Sequence, residues 1–320
     1  MSTKPNGWDL EATASLTDPP FVSVVVPTWN RAGLLADCLK TLRAQDYPLD
    51  RFEIIVVDDG STDATPEVVR RFQDGHPPEV RDIHQEHKGV NAARNQGIAI
   101  ARGDPICFVE DDTLMPPGWL RALVEGALRH PEAGVVGGPI RLRFEGTPPR
   151  FCGREPLVGE GELELGANEQ RVPWINGGNL AAWCWVFHAA GYFDEQLPQG
   201  GEETEWLHRV KAAGYPVWYI PSAWLWHRRT AEGLTLSRLL RRYFIGGTHY
   251  AVAARRMEEP FSLGGTLRSL VLSLLHFGRR RCTYGLLKAV WLIGFLAGRI
   301  RREEPEKSGG SRRCRFIGWR

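Results

Sequence analysis

The feature that most constrains this chain is a pattern repeated through its first third: a run of β-branched residues that breaks off at polar or acidic ones. Phe21-Val22-Ser23-Val24-Val25-Val26 is stopped by Pro27 and Thr28, and Glu53-Ile54-Ile55-Val56-Val57 ends at Asp58 and Asp59. Near-continuous apolar runs of this length suit strands covered on both faces, the condition of a parallel sheet. Between them Leu34, Leu35, Cys38, Leu39 and Leu42 recur at helical spacing behind Asn30, a candidate helix cap. Strand, helix and strand in this order predict a right-handed βαβ unit, with ligands beyond the carboxyl ends of its strands. Thr28, Asp58 and Asp59 fall there. A turn such as Asp59-Gly60-Ser61-Thr62-Asp63 also starts helices, so a purely structural use of these acids stays open.

A helix over Val90–Ala101 and a strand over Ile106–Val109 then lead into Glu110-Asp111-Asp112. Three adjacent carboxylates raise one another's pKa unless a cation sits among them. A hard divalent ion, Mg²⁺ or Mn²⁺, accepts oxygen ligands and tolerates bound phosphate. Within the preceding helix, Arg94 suits a grip on phosphate. Three strand ends on one edge thus point to a nucleotide diphosphate, while the lack of a P-loop or GxGxxG argues against an ATPase or a dinucleotide-dependent dehydrogenase. Farther on, residues 116–130 predict a helix and Val135–Gly138 a strand, and residues 141–172 read as a variable loop. At Asn176-Gly177-Gly178-Asn179 the glycines allow close backbone approach, either to an acceptor or in a plain tight turn. Gly200-Gly201-Glu202-Glu203 opens another helix, whose first turn welcomes acids with or without a chemical role.

Four segments in order, Ser23–Arg31, Ile55–Asp63, Ala93–Gly97 and Glu110–Asp112, resemble glycosyltransferase family 2, and the likeness covers about residues 21–230. The resemblance implies a GT-A fold, a nucleotide-diphosphate sugar donor, a divalent metal and an inverting transfer. Carried over by position, Pro27 and Thr28 border the donor nucleoside, and Asn30, Asp58 and Arg94 count among the donor-binding residues. Asp59 contacts the base, Asp111 lies near ribose and phosphate, and Asp112 holds the metal with His227. Gly177, Gly178 and Asn179 face the acceptor. The resemblance makes Glu203 the base, with Glu202 the competing candidate; many relatives carry Asp where Glu110 and Glu203 stand. Glu110 is expected outside the metal's immediate ligands.

Charge divides the chain. From Arg228 onward there are 20 basic and 6 acidic side chains, against 20 and 32 before it. The first 20 residues read as a flexible lead-in, residues 21–230 as an α/β catalytic domain with a mostly parallel sheet, and residues 231–320 as a helical, basic, membrane-associating extension. In that extension Leu236, Leu239, Leu240, Tyr243 and Phe244 make an apolar stripe, and Arg279-Arg280-Arg281 separates two hydrophobic segments. The second contains Lys288, which at mid-bilayer costs about 3 kcal/mol on insertion scales. Helices lying in the interface, with arginines on lipid phosphates, are therefore expected. The six cysteines show no CxxC pair and no zinc spacing, and reduced, mostly buried thiols are expected. The resulting expectation is a peripheral enzyme on the inner face of the cell membrane, acting on a lipid-linked or envelope-glycan acceptor without a nucleic-acid partner. Its rivals are an inactive sugar-binding scaffold and a nucleotidyltransferase, the latter disfavoured because Val24–Gly33 has no Gly-rich phosphate loop.

Overall fold

The computed structural model describes residues 18–152 and 161–300. Most of the expected lead-in, the last 20 residues and Cys314 lie outside them. The body comprises β1 (Val22–Thr28), α1 (Ala32–Arg43), β2 (Phe52–Asp58), α2 (Thr65–Phe72), β3 (Glu79–His84), α3 (Val90–Ile100) and β4 (Ile106–Val109). It continues through β5 (Thr113–Leu114), α4 (Trp119–Arg129), β6 (Val135–Gly137), β7 (Ile140–Phe144), β8 (Gln170–Val172) and β9 (Asn179–Ala182). After α5 (Cys184–Ala190), α6 (Glu202–Ala212), β10 (Val217–Tyr219) and β11 (Leu225–Arg229), the chain ends in three long helices: α7 (Leu236–Arg256), α8 (Leu263–Arg280) and α9 (Thr283–Ile300).

The main sheet has the order β3-β2-β1-β4-β9-β6-β10-β8. Its first four strands are parallel, and β9 runs antiparallel between β4 and β6. The mostly parallel α/β sheet read from the sequence is therefore present. Strand β1 runs on through Pro27 to Thr28, whose carbonyl accepts from Asp59 N–H at 2.9 Å. Every residue of β1 and β2 is buried, and Leu35, Cys38, Leu39 and Leu42 of α1 are buried with them. Full burial stabilises by about 1.5–3 kcal/mol for each such aliphatic side chain. Residues 141–172 are less irregular than expected, since β7 and β8 occupy their ends and Leu163 bridges back to Ile140. Those pairings are long-range, so the composition of the segment did not reveal them. The second sheet, β5-β11-β7, is small but sets the site.

The C-terminal helices pack differently. Leu239, Tyr243 and Leu287 form a separate small core. Helices α7 and α9 approach so closely that a methyl group at Gly294 would stand 2.1 Å from Phe244 O, and one at Gly247 would stand 2.0 Å from Trp291 O. Along α8 the buried residue is Ser273, while Leu263, Leu267, Val271, Leu272, Leu274, Leu275 and Phe277 are 38–56% exposed. Helix α7 also meets the body, because Ala253 and Tyr250 lie against Gly201 at the start of α6.

Candidate functional site

The acidic row is the link between the two sheets. Strand β4 delivers Glu110, Asp111 and Asp112, and β5 follows at once. Because β5 pairs antiparallel with β11, His227 stands opposite Thr113, and Arg228 N–H donates to Asp112 O at 2.9 Å. This register brings His227 Nε2 to 3.1 Å from Asp112 Oδ1 and 3.4 Å from Glu110 Oε2. The donor atoms of Glu110, Asp112 and His227 all lie within 4.8 Å of one another. Glu110, expected from the sequence to stand apart, thus lies among the candidate ligands, because its longer arm reaches toward His227 on β11. Asp112 Oδ1 is buried and has no hydrogen-bond partner in the described structure; the nearby imidazole nitrogen is close without being aligned. Arg229 Nη1 lies 2.6 Å from the same imidazole nitrogen and Nη2 lies 3.2 Å from the other, so the guanidinium fixes the ring beside the carboxylates. An orphaned carboxylate oxygen, a second carboxylate and an imidazole are a donor set that fits Mn²⁺-type ions.

Around this trio the remaining groups hold charge in place. Arg31 Nη1 donates to Asp111 Oδ1 at 2.9 Å and to Asp112 Oδ2 at 3.1 Å, and Thr28 Oγ1 donates to Asp111 Oδ2 at 2.8 Å. Burial pushes the Asp112 carboxyl up, but His227, Arg31 and Arg229 outweigh it and hold the group well below the usual carboxylate range. For Asp111 burial prevails, helped by Asp112 and opposed by Arg31, and its pKa is pushed up to about 6. Neither Arg31 nor Arg229 was singled out from sequence. Arg229 carries the signal of period two, two residues from His227 on one face of a strand.

The donor-side candidates divide. Asn30 does not cap α1; it adopts φ 52°, accepts from Thr62 N–H at 2.7 Å and donates its own N–H to Ser61 Oγ. Asp63 caps the helix instead, accepting from Ala32 N–H at 3.1 Å. Asp58 accepts from Ser61 N–H at 2.9 Å and meets His84 Nδ1 at 3.1 Å. The Asp59 carboxylate receives Gln85 Nε2 at 2.6 Å and the Lys88 and Gly89 N–H groups at 2.8 Å, and also meets His87 Nδ1 at 2.8 Å. Both acids therefore organise turns, and Asp59 shapes the approach to α3. Beside them Trp29, half exposed, stacks on His87 with ring centres 4.2 Å apart.

Arg94 is not available to phosphate. It is 2% exposed, pairs with Glu202 at 3.0 Å and faces Glu110 at 3.9 Å, with its guanidinium over Phe193. The reason is its place on the buried side of α3, where an unpaired charge would cost several kcal/mol. Glu202 is consumed in return, its other oxygen accepting from Gly200 N–H. Glu203 is left without a side-chain hydrogen-bond partner among the described residues. Burial first, then Glu202 and Glu110, push its pKa up to about 8 against the pull of Arg94. Asn179 is also corrected. It is wholly buried, donates to Pro139 O and Ala223 O at 2.9 and 2.8 Å, and accepts from Trp119 Nε1 at 2.8 Å. With its amide spent on the backbone it has nothing to offer an acceptor. Gly177 and Gly178 do lie at the site: a methyl group on the first would meet Glu203 at 3.1 Å, and one on the second would meet Glu110 at 3.1 Å.

Residues 23–188 match the family described as glycosyl transferase family 2. The validoxylamine A glucosyltransferase of Streptomyces hygroscopicus subsp. jinggangensis is 30% identical over 258 residues, covering 69% of this chain and 59% of that protein. The succinoglycan biosynthesis protein ExoM of Rhizobium meliloti is 26% identical over 305 residues, 90% of this chain and 96% of that one. Against the first of these relatives and others like it, the chain spans roughly half to two thirds of their length. Among solved structures, a mannosyltransferase PcManGT from Pyrobaculum calidifontis in complex with GDP-Man and Mn²⁺ superposes with a TM-score of 0.62. That match has 19% identity and covers 93% of this chain and 92% of that one. S. aureus TarS residues 1–349 in complex with UDP-GlcNAc gives 0.54 at 15% identity, covering 87% and 91%. At these identities the likeness establishes the fold, that of GT-A enzymes.

Proposed function

The chain belongs to glycosyltransferase family 2, and on that premise we propose that it moves a sugar, with inversion, from a nucleotide-diphosphate donor to a hydroxyl of a lipid-linked or cell-envelope glycan. One observation carries the reading: of the two adjacent acids opening α6, Glu202 is spent on Arg94 and Gly200, while Glu203, beside the acidic cluster, has no side-chain partner for its carboxyl among the described residues. A divalent cation held by Asp112, His227 and Glu110 would neutralise the diphosphate of the departing nucleotide. Glu203 takes the acceptor hydroxyl proton on a carboxylate oxygen as the hydroxyl oxygen attacks the anomeric carbon and the bond to the nucleotide diphosphate breaks, a role worth about 10²–10⁴-fold in rate. Its raised pKa supports the role, because a carboxylate near neutrality is a stronger base than one at its ordinary value. Arg31 and Thr28 hold Asp111 and Asp112 at the donor side, and Arg94 keeps Glu202 from competing.

The helical end is read as the anchor, peripheral on the inner face of the cell membrane. Its support is the outward-facing leucines of α8 next to Arg279, Arg280 and Arg281. Helix α9 is long and apolar enough to cross a bilayer, with 33% of its span buried against the rest of the protein. Lys288 in its first half and its close packing on α7 favour a place in the interface. The experiment is donor hydrolysis and thermal shift with a panel of nucleotide-diphosphate sugars, with and without Mn²⁺. A Mn²⁺-dependent shift and slow hydrolysis with one donor support the reading. Binding of a sugar without any turnover supports a scaffold, and formation of a nucleoside triphosphate on adding pyrophosphate supports a nucleotidyltransferase.

A further inference from the structure

Away from the cleft, three soft donors meet where the C-terminal helices touch the body. Cys152 lies on the segment that continues from β7, His276 near the end of α8, and Cys282 in the turn before α9. Cys152 Sγ is 3.3 Å from His276 Nε2, and the donor atoms of all three lie within 4.8 Å of one another. In a tetrahedral zinc site, with Zn–S of about 2.3 Å and Zn–N of about 2.0 Å, neighbouring donors stand about 3.5–3.8 Å apart. We propose that Cys152, His276 and Cys282 bind a soft divalent cation of the zinc class, which clips the C-terminal helices to the catalytic body.

The backbone builds this meeting. Arg281 takes φ 48° and its N–H closes on Phe277 O at 2.7 Å, so the chain reverses and returns Cys282 to the His276 side of α8. Thr283 N–H donates to Arg150 O at 2.9 Å and fixes the Cys152 segment alongside. Cys282 is buried and the other two are half-buried. The donor set contains no carboxylate; thiolates and an imidazole select zinc over Mg²⁺ or Mn²⁺, the reverse of the choice made by Glu110, Asp112 and His227. Binding releases two thiol protons to solvent and leaves a cation with two thiolates, formally neutral at the metal. A cavity of about 670 Å³ lined by Arg150, Phe151, Cys152, Arg279, Arg280 and Cys282 opens beside the trio and leaves a fourth coordination position to water or a further ligand.

The test uses the full chain, reduced and stripped of metal, titrated with Co²⁺ and then Zn²⁺. Expected are sulfur-to-cobalt charge-transfer bands and intense visible bands that saturate stoichiometrically and are displaced by Zn²⁺. Cys152→Ser and Cys282→Ser each weaken the Co²⁺ bands by about 100-fold or more in apparent affinity. Asp112→Ala leaves them in place, which separates this site from the oxygen-rich one. As a second measurement that requires no variant to fold, Zn²⁺ slows alkylation of Cys152 and Cys282 in the wild-type chain by at least about tenfold, read by peptide mapping. The proposal is overturned if the wild-type chain shows no sulfur bands, if Zn²⁺ leaves alkylation unchanged, or if the reduced protein re-forms a Cys152–Cys282 disulfide in place of binding metal.

Discussion

The α/β body and the three C-terminal helices solve the packing problem in opposite ways. In the body, β1 and β2 bury every side chain, and the hydrophobic effect against water holds the sheet together. In α8 the polarity is reversed: Ser273 faces inward and the leucines face out. Helices α7 and α9 then associate through backbone contact at Gly247 and Gly294 beside a small core of Leu239, Tyr243 and Leu287. Close small-residue crossings of this kind are how helices pack when their surroundings are as apolar as they are. On the membrane reading proposed above, the two regions face different solvents, and each should be open to damage without the other.

The largest effect should come from the body. Asp112→Ala removes the central carboxylate of the metal trio and is expected to abolish Mn²⁺-dependent nucleotide-diphosphate binding by calorimetry. Transfer should fall by about 10³-fold or more, with vesicle binding unchanged. Loss of vesicle binding in that variant would mean the two regions are one unit.

The adjacent acids of α6 should then separate chemistry from stability. Glu203→Gln is expected to keep donor affinity and lose about 10²–10⁴-fold in transfer rate. Glu202→Gln instead leaves buried Arg94 poorly paired, a loss of about 3–5 kcal/mol visible as a lower melting temperature. Wild-type transfer should rise with pH and level off above about 8, because only the ionised Glu203 accepts a proton. For stability the sign runs the other way. The folded pKa lies above the ordinary 4.5, so folding loses stability as pH climbs from about 4.5 to about 8. Glu203→Gln should melt about 2–4 °C above wild type at pH 9, a gain on the order of 1 kcal/mol, and level with it at pH 4. Near-normal turnover in Glu203→Gln would remove it as the base.

In the helices, replacing Arg279, Arg280 and Arg281 together by Gln is expected to weaken binding to anionic vesicles by about 3 kcal/mol at low salt, less as salt rises. Co-sedimentation with graded anionic lipid measures it, and a chain cut before Phe261 should bind least. Indifference to salt and to the triple change would indicate a spanning helix. The smallest effect on the fold sharpens the comparison most. Val271→Ser or Leu274→Ser on α8 should shift unfolding by no more than about 0.5 kcal/mol, yet reduce vesicle binding. Leu35→Ala in the body should cost about 2–5 kcal/mol and leave vesicle binding alone. Equal melting losses at both places would return α8 to the status of an ordinary soluble helix.

How much of this was legible depended on how local the encoding is. The strands, their acidic ends and most body helices write their periodicity into contiguous residues, so the sheet and the position of Asp112 could be read directly. Arg94 and Asn179 could not, because what commits them is distant in sequence: Glu202 for the one, Pro139 and Ala223 for the other. Glu110 was misplaced for a related reason, since its role rests on the β5–β11 register and not on its length alone. The Cys152, His276 and Cys282 trio is the extreme case. Its members are separated by 124 residues in one gap, which no spacing rule for zinc sites would join.

Gly177 and Gly178 act as a spacer of minimal thickness. On one side stands Glu203, the base in the reading proposed above, on the other Glu110 of the acidic cluster, and neither glycine places a side chain between them. A single methyl at either glycine meets its neighbour at 3.1 Å, close enough to push the acidic side chain aside by a few tenths of an ångström. The two halves of the reaction are thus aligned by clearance, as a shaft is by its bearing. Each half could survive such a change intact while the tolerance between them, and with it the turnover, is lost.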